Sequence, residues 1–223
     1  MLLLAADTSG KHGSIALAQC GPESACTIIE VVTLDGGTFS AQFVPQVAAL
    51  LAKHNFGKQN IDAFAVVSGP GSFTGLRIGL AAIKGLAEIL AKPIAAVSLL
   101  EVLALAGSAQ GKVMAVLDAG RGEVYAGTYQ ITGRQAQPLK EQLLSRSELI
   151  EAATNLVVVT ADPGLAELAS DAGLRVETVD LPRSDAIARL GWQKIVAGET
   201  VSPAELEANY IRRSADIFSK SNS

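Results

Sequence analysis

The chain has 223 residues, 49% of them hydrophobic and 18% charged, with a formal net charge of −4. That composition excludes a disordered chain, which lacks the apolar surface to offset its ordering entropy. It also argues against a free-standing nucleic-acid binder, whose affinity comes mainly from neutralising phosphates, so any RNA contact is expected to run through a partner.

Leu2–Ala6, Gly13–Cys20 and Cys26–Leu34 read as successive strands, separated by Ser9-Gly10 and Gly21-Pro22. After Gly36-Gly37 a helix is expected from about Ser40 to His54, with Pro45 tolerable only near its first turn. Ile61–Val67 predicts a strand, Phe73–Ala91 a long helix stopping before Pro93, and Ile94–Val97 a short buried strand. Ser98 is placed to cap a helix reaching Ala106. This order is α/β.

The pattern then restarts. Val113–Leu117 is an apolar strand ending in Asp118, followed by a glycine-bearing turn and an alternating strand, Glu123–Gln130. Leu2–Ala6, Asp7 and Gly13–Gln19 have the same layout half a chain length earlier, which suggests duplicated lobes. Beyond it come a helix near Arg146–Thr154, a strand Leu156–Thr160, a helix Gly164–Ala172, a strand Arg175–Val179 and a helix Ser184–Ala197. The expected division is a first lobe over 1–107, a smaller lobe over 108–213 and a polar tail over 214–223.

Chemistry-bearing residues are sparse. Cys20 and Cys26 are too few for a disulfide framework and read as small core residues in a reducing compartment. His12 and His54 are far apart, and no zinc site can be written from Cys and His. No Ser-His-Asp set can be assembled, and Asp7, Glu101, Asp118 and Glu123 have no setting distinctive of a general base. The first apolar run ends at Asp7, too short for a signal peptide or a membrane span, so a cytoplasmic protein is expected.

The sharpest local feature is Ser68-Gly69-Pro70-Gly71-Ser72-Phe73-Thr74-Gly75-Leu76-Arg77, between a buried strand and the long helix. It reads either as an anion cradle at a helix N-terminus or as a tight turn capped by Ser72 or Thr74. It lacks the Gly-Lys-Ser/Thr of a Walker loop, and the next strand ends in Ser98 rather than an acidic residue, which disfavours a dinucleotide fold. In an actin- or hexokinase-like protein, Asp7-Thr8-Ser9-Gly10 would face nucleotide phosphates; Asp118 lacks a neighbouring hydroxyl and reads as a turn former. Gly69, Gly71, Ser72, Thr74 and Gly75, with Asp7, Thr8 and Ser9, are therefore the candidate loop residues.

The two long helices are too apolar for one sheet face. Each shows an apolar arc of about 220°, against roughly 100° for an ordinary surface helix. A further burying surface is expected, and Phe39, Phe43, Val47, Leu51, Ile78, Gly79, Ala82 and Gly85 are the candidate interface residues.

Ser68 to Leu80, reading Ser-Gly-Pro-Gly-Ser-Phe-Thr-Gly-Leu-Arg-Ile-Gly-Leu, resembles the signature of the TsaB (YeaZ) family of tRNA threonylcarbamoyladenosine synthesis. Leu4-Ala5-Ala6-Asp7-Thr8-Ser9, Lys84-Gly85-Leu86-Ala87, Val97-Ser98-Leu99, Gly122-Glu123-Val124-Tyr125 and Tyr210-Ile211-Arg212 also match. Phe39 and Asn209 depart from the family's usual histidine and proline. The resemblance implies an ASKHA-type fold, two ribonuclease-H-like lobes with the second reduced. It implies a non-catalytic subunit that is a homodimer when free and pairs with a TsaD-like catalytic subunit. A TsaE-like ATPase would be recruited, tRNA would be met only through the complex, and no membrane would be involved. No cofactor or metal of its own is implied, with ATP or ADP held at most at the partner junction. TsaD carries a His-x-x-x-His metal motif; the corresponding stretch here, Val97 to Leu103, has leucines at both ligand positions. A free-standing ASKHA-type small-molecule kinase is the alternative.

Overall fold

Leu2–Asp7 forms β1, and every one of its six residues is buried. Successive strand residues point to opposite faces, so a strand buried throughout must be covered on both sides, which is why its sequence does not alternate. The computed structural model describes residues 1–22 and 25–211. The sequence-predicted tail over 214–223 lies outside them.

From β1 the chain continues through β2 (Gly13–Cys20), β3 (Cys26–Leu34), α1 (Phe39–Lys53), β4 (Ile61–Gly69), α2 (Phe73–Leu90), β5 (Ile94–Ser98) and α3 (Leu99–Ala106). It repeats as β6 (Gly111–Gly120), β7 (Glu123–Thr132), β8 (Gln135–Ser145), α4 (Arg146–Ala152), β9 (Val157–Thr160), α5 (Pro163–Asp171), β10 (Arg175–Thr178) and α6 (Ser184–Val196). The first sheet has the order β3-β2-β1-β4-β5, the second β10-β9-β6-β7-β8. Read from the other edge, the second order is the first with each strand number raised by five. Both begin as an antiparallel meander and finish with two parallel strands. The duplication suggested by Asp7 and Asp118 thus extends over the whole topology. Reduction of the second copy falls on its helices: α4 has 7 residues and α5 has 9, against 15 and 18 for α1 and α2.

The sequence did not announce β8. Gln-Ala-Gln-Pro-Leu-Lys-Glu-Gln is polar, largely exposed and interrupted by Pro138. Pro138 stands opposite Tyr129 at a register shift on the sheet edge, where a missing N–H is tolerated.

The expected lobe boundaries need one correction. The chain forms two compact units, one comprising 1–99 with 182–209 and the other containing 100–181. Helix α6, expected in the second lobe, packs on the first sheet. Gly191 brings it so close that an added Cβ would lie 2.3 Å from Cβ of Ala65. Helix α3, the equivalent of α6 in the first copy, goes the other way. Its Leu100, Leu103 and Ala104 pack with Val113, Ala115, Tyr129 and Val159 of the second sheet. Met114 and Val116, alternating with Val113 and Ala115 on β6, join Leu149 of α4 and Leu165 of α5 in a separate cluster. The third helix of each copy is therefore exchanged.

Gly191→Val should drive two methyl groups into Ala65 and lower stability by about 1–3 kcal/mol, the usual penalty of overpacking. A reduced midpoint in urea unfolding, with the slope unchanged, is the expected reading.

Candidate functional site

The candidate loop residues come together in the first unit, where the turn after β1 meets the start of α2. Asp7 is buried, and its Oδ1 accepts from the Ser9 backbone N–H (2.8 Å) and from Ser9 Oγ (2.6 Å). Burial raises its pKa, and the two Ser9 bonds partly oppose that rise.

Thr8 and Ser9 lie against bare α2 backbone. Thr8 Oγ1 donates to Gly75 O (2.8 Å), and Ser72 N–H donates to Ser9 O (2.7 Å). An added Cβ would sit 2.6 Å from Ser9 Cβ at Gly71, 2.1 Å from Thr8 O at Gly75 and 2.3 Å from Thr8 Oγ1 at Gly79. Spacings of four put Gly75 and Gly79 on one helix face, and Gly71 extends that line into the turn. The room these glycines create is filled by the protein's own Thr8 and Ser9. Ser72 rather than Thr74 caps the helix, its Oγ accepting from Gly75 N–H (3.3 Å). Gly69 has φ +141° and packs on Asn209, whose N–H donates to Ser68 O (2.7 Å).

Beside this contact is a groove of about 580 Å³, lined by Lys11 and His12, by Gly36 and Gly37, and by Ser72 and Thr74. Asp35 also lines it. The α2 N-terminus, Lys11 and His12 favour an anion there, and Asp35 opposes it. Asp118 belongs to the second unit, where it is exposed near the end of β6, ahead of Gly120, Arg121 and Gly122, all at positive φ. Leu99, Leu100 and Leu103 are buried apolar residues. Among the described residues no group of three or more His, Cys, Asp or Glu is placed to hold a metal.

The interface expectation divides. Phe39, Phe43, Val47 and Leu51 are at most 5% exposed and face the interior of the first unit. Phe39 lies over Gly13 at the start of β2. These four are core residues, a correction that follows from size: the bulky side chains of α1 turn inward. Gly79 is likewise covered, by Thr8. Ile78 and Ala82 are half-buried and Gly85 is exposed. Ile89, which shares the helical-wheel stripe of Ile78 and Gly85 but is not among the candidate interface residues, is 76% exposed. The outer side of α1 carries Ala41, Val44, Ala48 and Ala52. Its signal was a run of small apolar residues between the large ones.

The family model described as "TsaD: tRNA N6-adenosine threonylcarbamoyltransferase" matches residues 37–186, more than half of the chain. The tRNA threonylcarbamoyladenosine biosynthesis protein TsaB of Bacillus subtilis is 32% identical over 208 residues, spanning 92% of this chain and 85% of that protein. The chain belongs to the TsaB family. TsaB of Escherichia coli is 28% identical over 224 residues, covering 95% of each. The solved structure of YeaZ from Pseudomonas aeruginosa superposes with a TM-score of 0.77 at 27% identity, covering 94% of this chain and 99% of that one. The duplicated α/β architecture of this TsaB-family chain is thus of the ASKHA type. Among the described residues no helix is long and apolar enough to cross a membrane.

Three glycines of α2 should respond differently to alanine. Gly75→Ala should cost about 1–3 kcal/mol, because Thr8 backbone blocks the new methyl. Gly79→Ala should also destabilise, by displacing the Thr8 hydroxyl. Gly85→Ala meets open space and should gain about 0.5–1 kcal/mol of helix propensity. Thermal melts of the three variants rank them.

Asp7 should leave a pH signature. Its carboxyl holds a proton more tightly folded than unfolded, so the ionised form reduces stability once pH exceeds the ordinary carboxylate range. Asp7→Asn can still accept both Ser9 bonds. It should melt above the parent near neutral pH, with the gap closing toward about pH 4.

Proposed function

We propose that this chain is a non-catalytic subunit in the synthesis of threonylcarbamoyladenosine in tRNA, pairing with a TsaD-like transferase and supporting its activity. The observation that carries this reading is the match to TsaB of Bacillus subtilis along 92% of the chain. Residue chemistry supports the non-catalytic part. The two positions aligned with the TsaD metal ligands, Leu99 and Leu103, are buried leucines, and Asp7 is engaged by Ser9 rather than by a reacting group.

The partner surface in this reading is the outer side of the two packed helices: Val44 with its small neighbours on α1, and Ile78, Ala82, Gly85 and Ile89 on α2. Val44 is 56% exposed and Ile89 76%. Side chains this apolar are covered when a second helix pair packs on them, and the small residues between them let backbones approach. The same surface would serve a homodimer when the chain is free, so the transferase would compete with self-association. A TsaE-like ATPase would join the pair. A nucleotide held at the junction would meet the Lys11–His12 groove, since Thr8 and Ser9 occupy the glycine positions.

The test is a tRNA modification assay with the TsaD homologue of the same organism, with and without this chain. Strong stimulation by the chain, which alone neither modifies tRNA nor hydrolyses ATP, is expected. ATP turnover by the pure chain at about one per second or faster would favour a kinase instead. Gly85→Arg should still melt cooperatively, yet become monomeric by light scattering and lose stimulation. Unchanged association would place the interface elsewhere.

A further inference from the structure

The two cysteines, far from the glycine contact, occupy directly opposed positions. Cys20 closes β2, Cys26 opens β3, and they are register partners across the antiparallel pair. Both backbone groups of Cys20 are turned away from β3: its N–H donates to Met1 O (2.8 Å), and its carbonyl accepts from the Met1 ammonium (2.7 Å). The next bond along the hairpin runs from Gly21 N–H to Ala25 O (2.8 Å). Cys20 and Cys26 are thus a non-hydrogen-bonded pair, the closer of the two antiparallel geometries, with Cα atoms about 4.5 Å apart. That separation lies within the span a disulfide bridges without backbone movement. Both thiols are free.

The two sulfurs differ in setting. Cys20 is 2% exposed, whereas Cys26 is half-buried and open to a small reagent. The neighbouring thiols act on each other, which raises the Cys20 pKa and lowers that of Cys26, and Cys26 Sγ also reaches Ala188 O of α6 (4.0 Å). The Arg189 guanidinium of α6 donates to Cys26 O (3.1 Å) and adds positive charge beside the pair. Thiolate character and access both favour Cys26 as the sulfur that reacts first.

We propose that Cys20 and Cys26 are a reversible thiol-oxidation site, closing a cross-strand disulfide at the end of the β2–β3 hairpin when hydrogen peroxide is present. The Cys26 thiolate attacks one peroxide oxygen; the O–O bond breaks, and the departing hydroxide takes a proton to leave as water. Cys26 is then a sulfenic acid. Cys20 loses its proton as it attacks that sulfur, the S–S bond forms, and a second water leaves. Two electrons pass from the thiol pair to the peroxide. A dithiol reductant reverses the change by exchange through a mixed disulfide.

The experiment treats the full-length chain with hydrogen peroxide and reads intact mass, free thiols and a peptide map. The expected product is a monomer lighter by two hydrogen atoms, with both thiols lost together, Cys20 joined to Cys26, and dithiothreitol restoring the starting mass. Cys26→Ser should leave Cys20 unoxidised, and Cys20→Ser should accumulate a dimedone-reactive sulfenic acid at Cys26. Three results on the unmutated chain would each overturn the proposal: disulfide-linked dimers, sulfinic acid at Cys26 beside a free Cys20, or persistence of both thiols. None depends on how the variants fold.

Discussion

The contact of Thr8 and Ser9 with bare α2 backbone orders much of the first unit. A helix whose glycines lie against a β-turn cannot rotate about its axis without bringing side chains into that turn. Its other faces are therefore assigned. Leu76, Leu80, Ile83 and Ala87 go to the core, and Ile78, Ala82, Gly85 and Ile89 go outward. The proposed partner surface is in this sense a consequence of the turn after β1. The turn depends in turn on a buried carboxyl held by Ser9.

The second copy lacks this device. Its turn after β6 is exposed and built from Gly120, Arg121 and Gly122 at positive φ. Helix α5 begins with Pro163, and its cap is Asp162, whose Oδ1 accepts from Leu165 N–H (3.0 Å). Ordinary capping replaces the glycine face, and the helix is half as long. One topology therefore supports a turn engaged with a long helix in one copy and a plain hairpin in the other. The asymmetry accompanies the placement of both large apolar helices in the first unit.

Buried strands and long helices were legible in the sequence because hydrophobic periodicity and glycine or proline breaks act locally. β1 to β7 appear where the pattern put them, and only the polar edge strand β8 escaped, its pairing decided by the hairpin with β7 rather than by its own composition. The loop residues were legible as a group, but their closeness was not: nothing local in Asp7-Thr8-Ser9 says that it will lie against Gly71, Gly75 and Gly79. The helical wheel recovered the apolar width of α1 and α2. It could not say which apolar stripe turns inward, since that depends on the volume available over β2, where Gly13 makes room for Phe39. The lobe boundary failed for a related reason. The sequence of α6 specifies an amphipathic helix but not the sheet it will cover.

The exchange of third helices has a consequence for how the chain is made. A ribosome delivers the five strands and both long helices of the first sheet well before α6, which begins only at Ser184. Until then the face of β4 carrying Ala65 has no cover within the first unit, and it is an apolar sheet surface of the kind that nascent chains hide or lose to aggregation. Over the same interval α3 has already emerged but must wait for the second sheet that it packs against. Completion of the earliest-synthesised unit thus requires one of the latest-synthesised elements. Contacts of such long sequence separation make folding slow relative to local pairing. A chain truncated before α6 would release an opened first sheet rather than a finished half.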